Sequence, residues 1–211
     1  MRITKYVHSC LLVETDDSNI LIDPGLFTWD SHLLNPNHLP QLTHIIITHD
    51  HVDHYCEPAL RAITQRFGQA KIITNNDLAK KIKELNLPNH IQSGSEDNIT
   101  TFEAPHAPLP LDLPAPLNIG VHIDDKLTHS GDALDFSLSR EILALPLTGP
   151  FCSMTDSLKQ AVKLKAKVLL PVHDWHWHQK ARESMYDMAK GLLKQKGIEF
   201  IELKNGEAVE F

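Results

Sequence analysis

The sequence has few cysteines, no long apolar segment and no run of like charge. Three cysteines, Cys10, Cys56 and Cys152, are too few and too scattered for a disulfide framework or a paired-cysteine zinc site, so we expect reduced thiols. No stretch approaches the roughly 20 apolar residues of a membrane helix. The first ten residues, MRITKYVHSC, lack the apolar run of a signal peptide. We therefore expect a soluble cytoplasmic protein that does not contact a membrane.

Basic residues are also fewer than acidic ones. The chain has 20 Lys and Arg against 27 Asp and Glu, a formal net charge of −7 at pH 7. This balance does not resemble the basic surface that binds phosphate backbones, so nucleic acid is not an expected partner. With 211 residues, 42% of them hydrophobic, the chain is long enough for one large domain with its own core. Since no linker divides it, we predict a single domain over residues 1–211.

Histidine, by contrast, is abundant, with 14 residues, and ITHDHVDH at residues 47–54 is the densest cluster of histidine and aspartate together. His49, His51, Asp53 and His54 place four potential ligands in six positions, after an apolar strand predicted over Thr43–Thr48. Neutral imidazoles and carboxylates are the ligands of zinc and neighbouring transition metals. Open α/β folds place their sites where such strands end. The cluster therefore predicts a metal site, with Asp50 outside the ligand set.

The order of predicted strands and helices divides the chain into two similar halves, and in each half several strands are followed by alternating strands and helices. Two packed sheets with helices outside, a four-layer αβ/βα sandwich of the α/β class, are the expected fold. Residues 26–40 and the proline-rich residues 104–116 are predicted loops. The predicted strands are Ile3–Val7, Cys10–Glu14, Asn19–Asp23, Thr43–Thr48, Lys71–Thr74, Glu141–Leu145, Val168–Val172, Ile198–Leu203 and Glu207–Phe211, and the predicted helices are Pro58–Gly68, Asp77–Leu85, Asp156–Ala166 and Gln179–Lys196.

The H-x-H-x-D-H spacing after an apolar strand resembles the signature of the metallo-β-lactamase superfamily. Four other stretches match that family in order: NILIDPG at residues 19–25, Pro105-His106, Ser130-Gly131-Asp132, and LPVH at residues 170–173. With His8-Ser9-Cys10 and LPLTGPFCSM at residues 145–154, the chain is most similar to the ascorbate-6-phosphate lactonase-like branch. One departure is Ala133, where the family often has threonine.

The resemblance implies a ligand set for two divalent metal ions. His49, His51 and His106 would bind the first ion, Asp53, His54 and His173 the second, and Asp132 would bridge them. Asp23 would accept hydrogen bonds that hold the loop in shape. Zn²⁺ is the expected metal, with Mn²⁺, Fe²⁺ or Ni²⁺ as alternatives. His176 and His178 are rivals of His173, and Trp175 and Trp177 either wall a substrate pocket or form a surface cluster.

The resemblance further implies a metal-dependent hydrolase. Two ions that activate a hydroxide would cleave an ester, lactone or phosphoester bond of a small substrate. Asp53 would orient the hydroxide and handle the proton of the leaving group, as the catalytic residue. The alternatives are a phosphodiesterase or nuclease acting on nucleic acid or nucleotides, a metal-dependent redox enzyme on the same fold, and a binding module without catalysis. The residues that bind the substrate and the oligomeric state stay open.

Overall fold

The computed structural model describes residues 1–211, which form two compact units. Residues 1–94 and 203–211 make the first unit, and residues 95–202 make the second. The strands are β1 (Arg2–Lys5), β2 (Leu11–Glu14), β3 (Asn19–Ile22), β4 (His44–Ile47), β5 (Lys71–Thr74), β6 (Ile91–Gln92), β7 (Ile99–Glu103), β8 (Ile119–Ile123), β9 (Leu127–His129), β10 (Ile142–Pro146), β11 (Val168–Val172), β12 (Glu199–Phe200) and β13 (Ala208–Glu210). The α-helices are α1 (Leu26–Asp30), α2 (Glu57–Arg66), α3 (Asn76–Lys83), α4 (Met154–Lys163) and α5 (Gln179–Lys194).

The first unit is built on a seven-stranded sheet of order β13-β1-β2-β3-β4-β5-β6. Strands β13, β1, β2 and β3 pair antiparallel, and β3 through β6 pair parallel. The parallel part contains the helical crossovers α2 and α3, because parallel neighbours need a long connection. The strand β4 is buried along its whole length, as expected of its run of isoleucines. The carboxyl ends of β3 and β4, and with them Asp23 and Thr48, therefore lie at the same edge.

Helix α2 follows the histidine cluster, as the sequence predicts. Pro58 stands in its first turn, where the missing N–H is not needed. Leu60 and Ile63 are buried in the core of the first unit, together with Phe67 at the end of the helix. Burial of each such side chain contributes about 1.5–3 kcal/mol. The helix thereby fixes the position of the loop that precedes it.

The prediction that residues 26–40 are only a loop is wrong. The segment contains α1 and a 3-10 turn at Pro36–His38. A helix of five residues is too short to show periodicity and is not stable by itself. Contacts made within the fold hold it: the Leu26 N–H donates to the Val52 carbonyl at 2.7 Å, and the buried Thr28 hydroxyl donates to the Val7 carbonyl at 2.7 Å.

The second unit is built on a six-stranded sheet of order β12-β11-β10-β9-β8-β7. Strands β7, β8 and β9 pair antiparallel, and β9 through β12 pair parallel. Its core is formed by apolar side chains of the sheet and of α4 and α5, among them Leu143, Leu169 and Tyr186. The parallel strands β9 and β11 end just before Asp132 and His173.

Two sheets with helices confirm the predicted α/β class. The proline-rich residues 104–116 form a loop, as predicted, with one 3-10 turn at Pro110–Asp112. The predicted C-terminal strands are present but shorter: β12 belongs to the second unit and β13 to the first. None of the helices has both the length and the apolar composition required to span a bilayer.

Candidate metal centre

A buried carboxylate organises the histidine loop of the first unit. Asp23 accepts three hydrogen bonds, from the Thr48 N–H at 2.8 Å, the Thr48 hydroxyl at 2.9 Å and the His54 Nδ1–H at 2.8 Å. The side chains of Asp23 and His54 are fully buried. Because Nδ1 of His54 carries the proton that is donated to Asp23, Nε2 carries a lone pair. Histidines that bind a metal ion typically donate their other ring N–H to a carboxylate in this way.

The same chain of hydrogen bonds determines which ring nitrogen of His49 carries the proton. The Thr48 hydroxyl gives its proton to Asp23, so its oxygen accepts the Nδ1–H of His49 at 3.0 Å. Nε2 of His49 therefore carries a lone pair, and it lies 3.1 Å from Nδ1 of His51. The two rings meet edge to face, with centroids 4.7 Å apart. Asp23 thus fixes, through Thr48, the tautomers of two predicted ligands.

Asp53 faces a second group of donors within this unit. Its Oδ2 lies 3.0 Å from Nε2 of His8 and 4.0 Å from Nε2 of His54. One donor atom from each of these three residues lies within 4.8 Å of the other two. The sequence analysis uses His8 only as part of a stretch that resembles a family branch, and the predicted ligand set does not include it. Its signal, a lone histidine in a turn 45 residues before Asp53, was too weak to identify it.

The loop that carries Asp53 lies directly on the turn after β3. A Cβ atom at Gly25 would lie 1.9 Å from the backbone oxygen of Asp53 and 2.5 Å from the backbone nitrogen of His54. Only glycine allows the two backbones to approach this closely. Pro24-Gly25, which the sequence indicates as a strand end, is therefore also part of the wall that holds the histidine loop.

In the second unit, two histidines face one carboxylate oxygen. Nε2 of His106 lies 3.5 Å and Nε2 of His173 lies 3.4 Å from Oδ2 of Asp132. The opposite nitrogens are fixed by backbone carbonyls, because Nδ1 of His106 donates to the Ala107 oxygen and Nδ1 of His173 donates to the Thr148 oxygen. Both Nε2 atoms therefore carry lone pairs that face a carboxylate.

Asn118 holds the Asp132 turn against the proline-rich loop. Its Nδ2 donates to the carbonyls of Ala104 and Ser130, at 2.6 and 2.9 Å, and its Oδ1 accepts the Asp132 N–H at 3.2 Å. The Ala107 N–H donates to the Asp132 carbonyl at 2.9 Å. One buried amide thus holds the loop that carries His106 against the turn that carries Asp132. No sequence pattern identified Asn118, because an asparagine before a strand is an ordinary turn residue.

His129 has a supporting role in the same turn. Its Nδ1 accepts the Gly131 N–H at 3.1 Å, and Gly131 has a φ of +56°, which glycine adopts without strain. The structural role expected for His129 agrees with this geometry.

An aromatic side chain flanks the two histidines of the second unit. The Phe151 ring meets His106 and His173 edge to face, each at 5.0 Å between centroids. A Cβ atom at Gly149 would lie 2.8 Å from the Phe151 ring and 3.1 Å from His173. The segment TGPF at residues 148–151 therefore presses an apolar wall against both imidazoles. Phe151 is half-buried, so part of this wall faces outward.

The other candidate residues take separate positions. Asp50 is exposed and accepts hydrogen bonds from the Lys81 ammonium at 2.7 and 2.9 Å, outside the donor group as expected. His176 and His178 are less buried than His173, and His178 only precedes α5. The geometry therefore favours His173 over His176 and His178 as the candidate metal ligand.

The two tryptophans that follow His173 differ from one another. Trp177 packs against the core of the second unit, with its ring edge to face with Tyr186 at 6.2 Å. Trp175 is 49% exposed, and its ring meets His176 at 5.5 Å. The two rings therefore have different surroundings, Trp177 at the core of the second unit and Trp175 at the surface.

All three cysteines are free thiols. Burial raises the pKa of Cys10 and of Cys56 above its usual value. Burial and the nearby Asp132 carboxylate raise the pKa of Cys152 to about 12. Since the thiolate is the nucleophile, the raised pKa values disfavour a nucleophilic role for these cysteines near neutral pH.

The donor set fits divalent metal ions. Lone pairs on His106 and His173 and a carboxylate oxygen of Asp132 converge, and such electron-pair donors repel one another unless a cation lies among them. Imidazole nitrogen and carboxylate oxygen are ligands of zinc and its neighbours, and carbonyl or carboxylate partners on the opposite nitrogen are typical of metal-bound histidines. The group around Asp53 in the first unit has the same composition.

Comparisons with known proteins agree with this chemistry. Residues 2–173 match the model of the beta-lactamase superfamily domain. The chain is similar to the UPF0173 metal-dependent hydrolase YtkL of Bacillus subtilis, with 27% identity over 197 residues that cover 82% of this chain and 85% of the relative.

Two solved structures share the fold. A putative metal-dependent hydrolase from Parabacteroides distasonis has a TM-score of 0.71 and 22% identity, covering 94% of this chain and 90% of that chain. The metallo-β-lactamase fold protein YhfI from Bacillus subtilis has a TM-score of 0.70 and 16% identity, covering 99% of this chain and 98% of that chain. The chain therefore belongs to the beta-lactamase superfamily, as a metal-dependent hydrolase with the metallo-β-lactamase fold.

Proposed function

We propose that the protein is a dinuclear hydrolase of a small substrate. His49, His51 and His106 would hold one divalent ion, Asp53, His54 and His173 the other, and Asp132 would bridge them. The observation that carries the proposal is the convergence of His106 and His173 on one oxygen of Asp132. The superfamily match over residues 2–173 includes all seven residues. Zn²⁺ is the first candidate, because its ligands are imidazole and carboxylate, with Mn²⁺, Fe²⁺ or Ni²⁺ as alternatives.

When bound, two such ions lower the pKa of a water toward 7 and neutralise negative charge that develops on a substrate oxygen. The chain contributes histidines whose tautomers are fixed before the ions bind. Asp23, through Thr48, sets the donors of the first unit, and backbone carbonyls set those of the second. Little reorganisation is then required when the substrate binds, and such preorganisation lowers the barrier to reaction.

Asp53 is the residue that we propose for proton transfer. Its side chain is 16% exposed, whereas the side chains of His54, His106, Asp132 and His173 are at most 1% exposed. A carboxylate that is partly accessible is suited to orient a water and to pass a proton to the leaving group. Asp132, which is buried, would serve in binding alone.

The substrate class that fits is a small ester, lactone or phosphoester. The lactone option rests on the similarity of His8-Ser9-Cys10 and residues 145–154 to the lactonase-like branch. Nucleic acid fits poorly, because the net charge of −7 opposes binding of a phosphate backbone. The apolar Phe151 ring beside His106 and His173 favours a substrate with an uncharged portion.

The test is a hydrolysis screen with a lactone, an aryl ester, a thioester and a phosphodiester, using metal-free and Zn²⁺-, Mn²⁺- and Fe²⁺-loaded protein. Loading should produce activity towards at least one class, and His106→Asn should remove it. His38→Asn, at an exposed histidine in the first unit, is the matched control and should retain full activity. Equal activity of metal-free protein or of His106→Asn would contradict the proposal.

A further inference from the structure

We propose that His8 is a positioning residue for Asp53, holding the carboxylate by donating its Nε2–H. This inference rests on the proposed function, because it assigns His8 a role toward a proposed metal ligand. The distance from Nε2 to Oδ2 is 3.0 Å, which is that of a hydrogen bond between an imidazole N–H and a carboxylate. The two atoms are at hydrogen-bond distance, unlike Asp132 Oδ2 and its two histidines at 3.4–3.5 Å, so we assign the proton to Nε2 of His8. A nitrogen that carries this proton is a donor and not a metal ligand.

The backbone at His8 forms a turn that is held by hydrogen bonds. Its φ is +65°, in the left-handed region, where histidine, asparagine and aspartate occur more often than other non-glycine residues. The surrounding turn is tied down by hydrogen bonds from the Cys10 N–H to the Val7 carbonyl at 3.2 Å and from the Tyr6 N–H to the Cys10 carbonyl at 2.9 Å. These hydrogen bonds fix the turn, and with it the position of the His8 side chain.

A second element of the chain fixes the same turn. The Thr28 hydroxyl of α1 donates to the Val7 carbonyl at 2.7 Å, and the neighbouring Phe27 ring meets the His8 ring edge to face at 5.1 Å. The His8 side chain is fully buried. Helix α1 and the turn together therefore hold the imidazole in a single orientation toward Asp53.

The hydrogen bond from His8 would hold the Asp53 carboxylate in one orientation. A hydrogen bond to one carboxylate oxygen restricts rotation of the group about its Cβ–Cγ bond, and partners of this kind contribute about 10–100-fold to metal affinity or activity. The Asp53 side chain is more exposed than those of His54, His106, Asp132 and His173, so it has less packing to orient it. His8 supplies that orientation from the buried side.

The experiment compares His8→Asn and His8→Gln. Asparagine tolerates a positive φ but is too short to reach Asp53, and glutamine places an amide N–H close to the position of Nε2. His44→Gln, at a buried histidine of the same unit, is the matched control. Zn²⁺ content, Zn²⁺ affinity by chelator competition, and kcat and KM are measured on the full chain, with thermal unfolding of the metal-free proteins as a check of folding.

We expect His8→Asn to bind two ions per chain but one of them about 10–100-fold more weakly, with kcat lowered and KM little changed. His8→Gln should recover most of the affinity, and His44→Gln should match the wild type. Wild-type affinity in His8→Asn would overturn the positioning role. Loss of an ion in both His8 variants would also overturn it, since His8 would then be a ligand. Absence of bound ions in the wild type would overturn the proposed function, and the inference with it.

Discussion

The Oδ2 atom of Asp132 lies 3.4 Å from Nε2 of His173, at a buried position where the opposite imidazole nitrogen donates to a backbone carbonyl. This geometry presents a lone pair to a carboxylate, an arrangement that is unfavourable unless a cation lies nearby. In the proposed dinuclear site, folding of the second unit would bring His106, His173 and Asp132 together at a cost that metal binding would offset. Binding and stability are then coupled.

Asp23 is expected to act on both stability and metal affinity. In Asp23→Asn, an amide N–H replaces the oxygen that accepts from the Thr48 hydroxyl and from His54 Nδ1, so two buried donors lose their acceptor. We expect the free energy of unfolding to fall by about 2–3 kcal/mol and Zn²⁺ affinity by about 10–100-fold. Urea unfolding and chelator competition measure the two effects.

The exposed Asp17 is the matched control, and Asp17→Asn should change the unfolding free energy by less than about 0.5 kcal/mol. Equal unfolding curves for Asp23→Asn and Asp17→Asn would show that the buried network does not stabilise the loop.

Two glycine-to-alanine changes should have opposite effects. Gly25→Ala places a Cβ atom 1.9 Å from the Asp53 backbone oxygen, so the histidine loop must move. We expect a loss of stability of about 2 kcal/mol or more and weaker metal binding. Gly191 lies within α5, and a Cβ atom added there would meet no atom within 4 Å, so Gly191→Ala should stabilise by about 0.5–1 kcal/mol.

Denaturant unfolding of the two metal-free variants tests this pair. If Gly25→Ala were as stable as the wild type, the close backbone approach would not be a constraint on the loop.

The sequence pointed clearly to the histidine loop because its candidate donors lie within six consecutive positions after a buried strand. It also predicted α2, β4, β5 and β11 closely, since their apolar patterns are strong. Helix α1 was missed because contacts with Val7 and Val52, rather than its own sequence, hold it. His8 and Asn118 were missed for a related reason: each acts on a residue that is distant along the chain.

Phe151 is expected to influence substrate binding and not metal binding. Its ring lies edge to face with His106 and with His173, and a phenyl ring has no ligand atom to offer a metal ion. Phe151→Ala should keep the metal content of the wild type. It should raise KM for substrates with an apolar portion by about 10–200-fold, the range for loss of an apolar contact in a pocket.

Phe151→Leu retains apolar volume and is the conservative control. A fall in bound metal for Phe151→Ala, with KM unchanged, would assign the ring to support of the imidazoles instead.

A pH dependence of stability is expected from His122. Burial, followed by the charge of Arg140, lowers the pKa of His122 to about 4, and its ring stacks on Phe102 at 4.4 Å. Because the folded-state pKa lies below the ordinary value of 6.5, the unfolded chain binds more protons between pH 4 and 6.5. The contribution of His122 is therefore complete above pH 6.5 and is lost as the pH falls toward 4.

The measurement is urea unfolding of metal-free wild type and His122→Gln at several values of pH in this window. Glutamine keeps a hydrogen-bonding group beside Thr128, whose hydroxyl lies 2.9 Å from His122 Nδ1, but it does not titrate. The stability difference between the two proteins should shrink as the pH falls. A constant difference would show that His122 does not carry this dependence.

The central claim, that seven residues bind two metal ions, is tested most directly by elemental analysis of metal per chain. Protein purified without chelator and reconstituted with Zn²⁺ should contain about two ions per chain, and Asp132→Ala should contain fewer while remaining folded. A wild type that retains no metal after reconstitution, or an Asp132→Ala variant with the same metal content as the wild type, would contradict the dinuclear assignment.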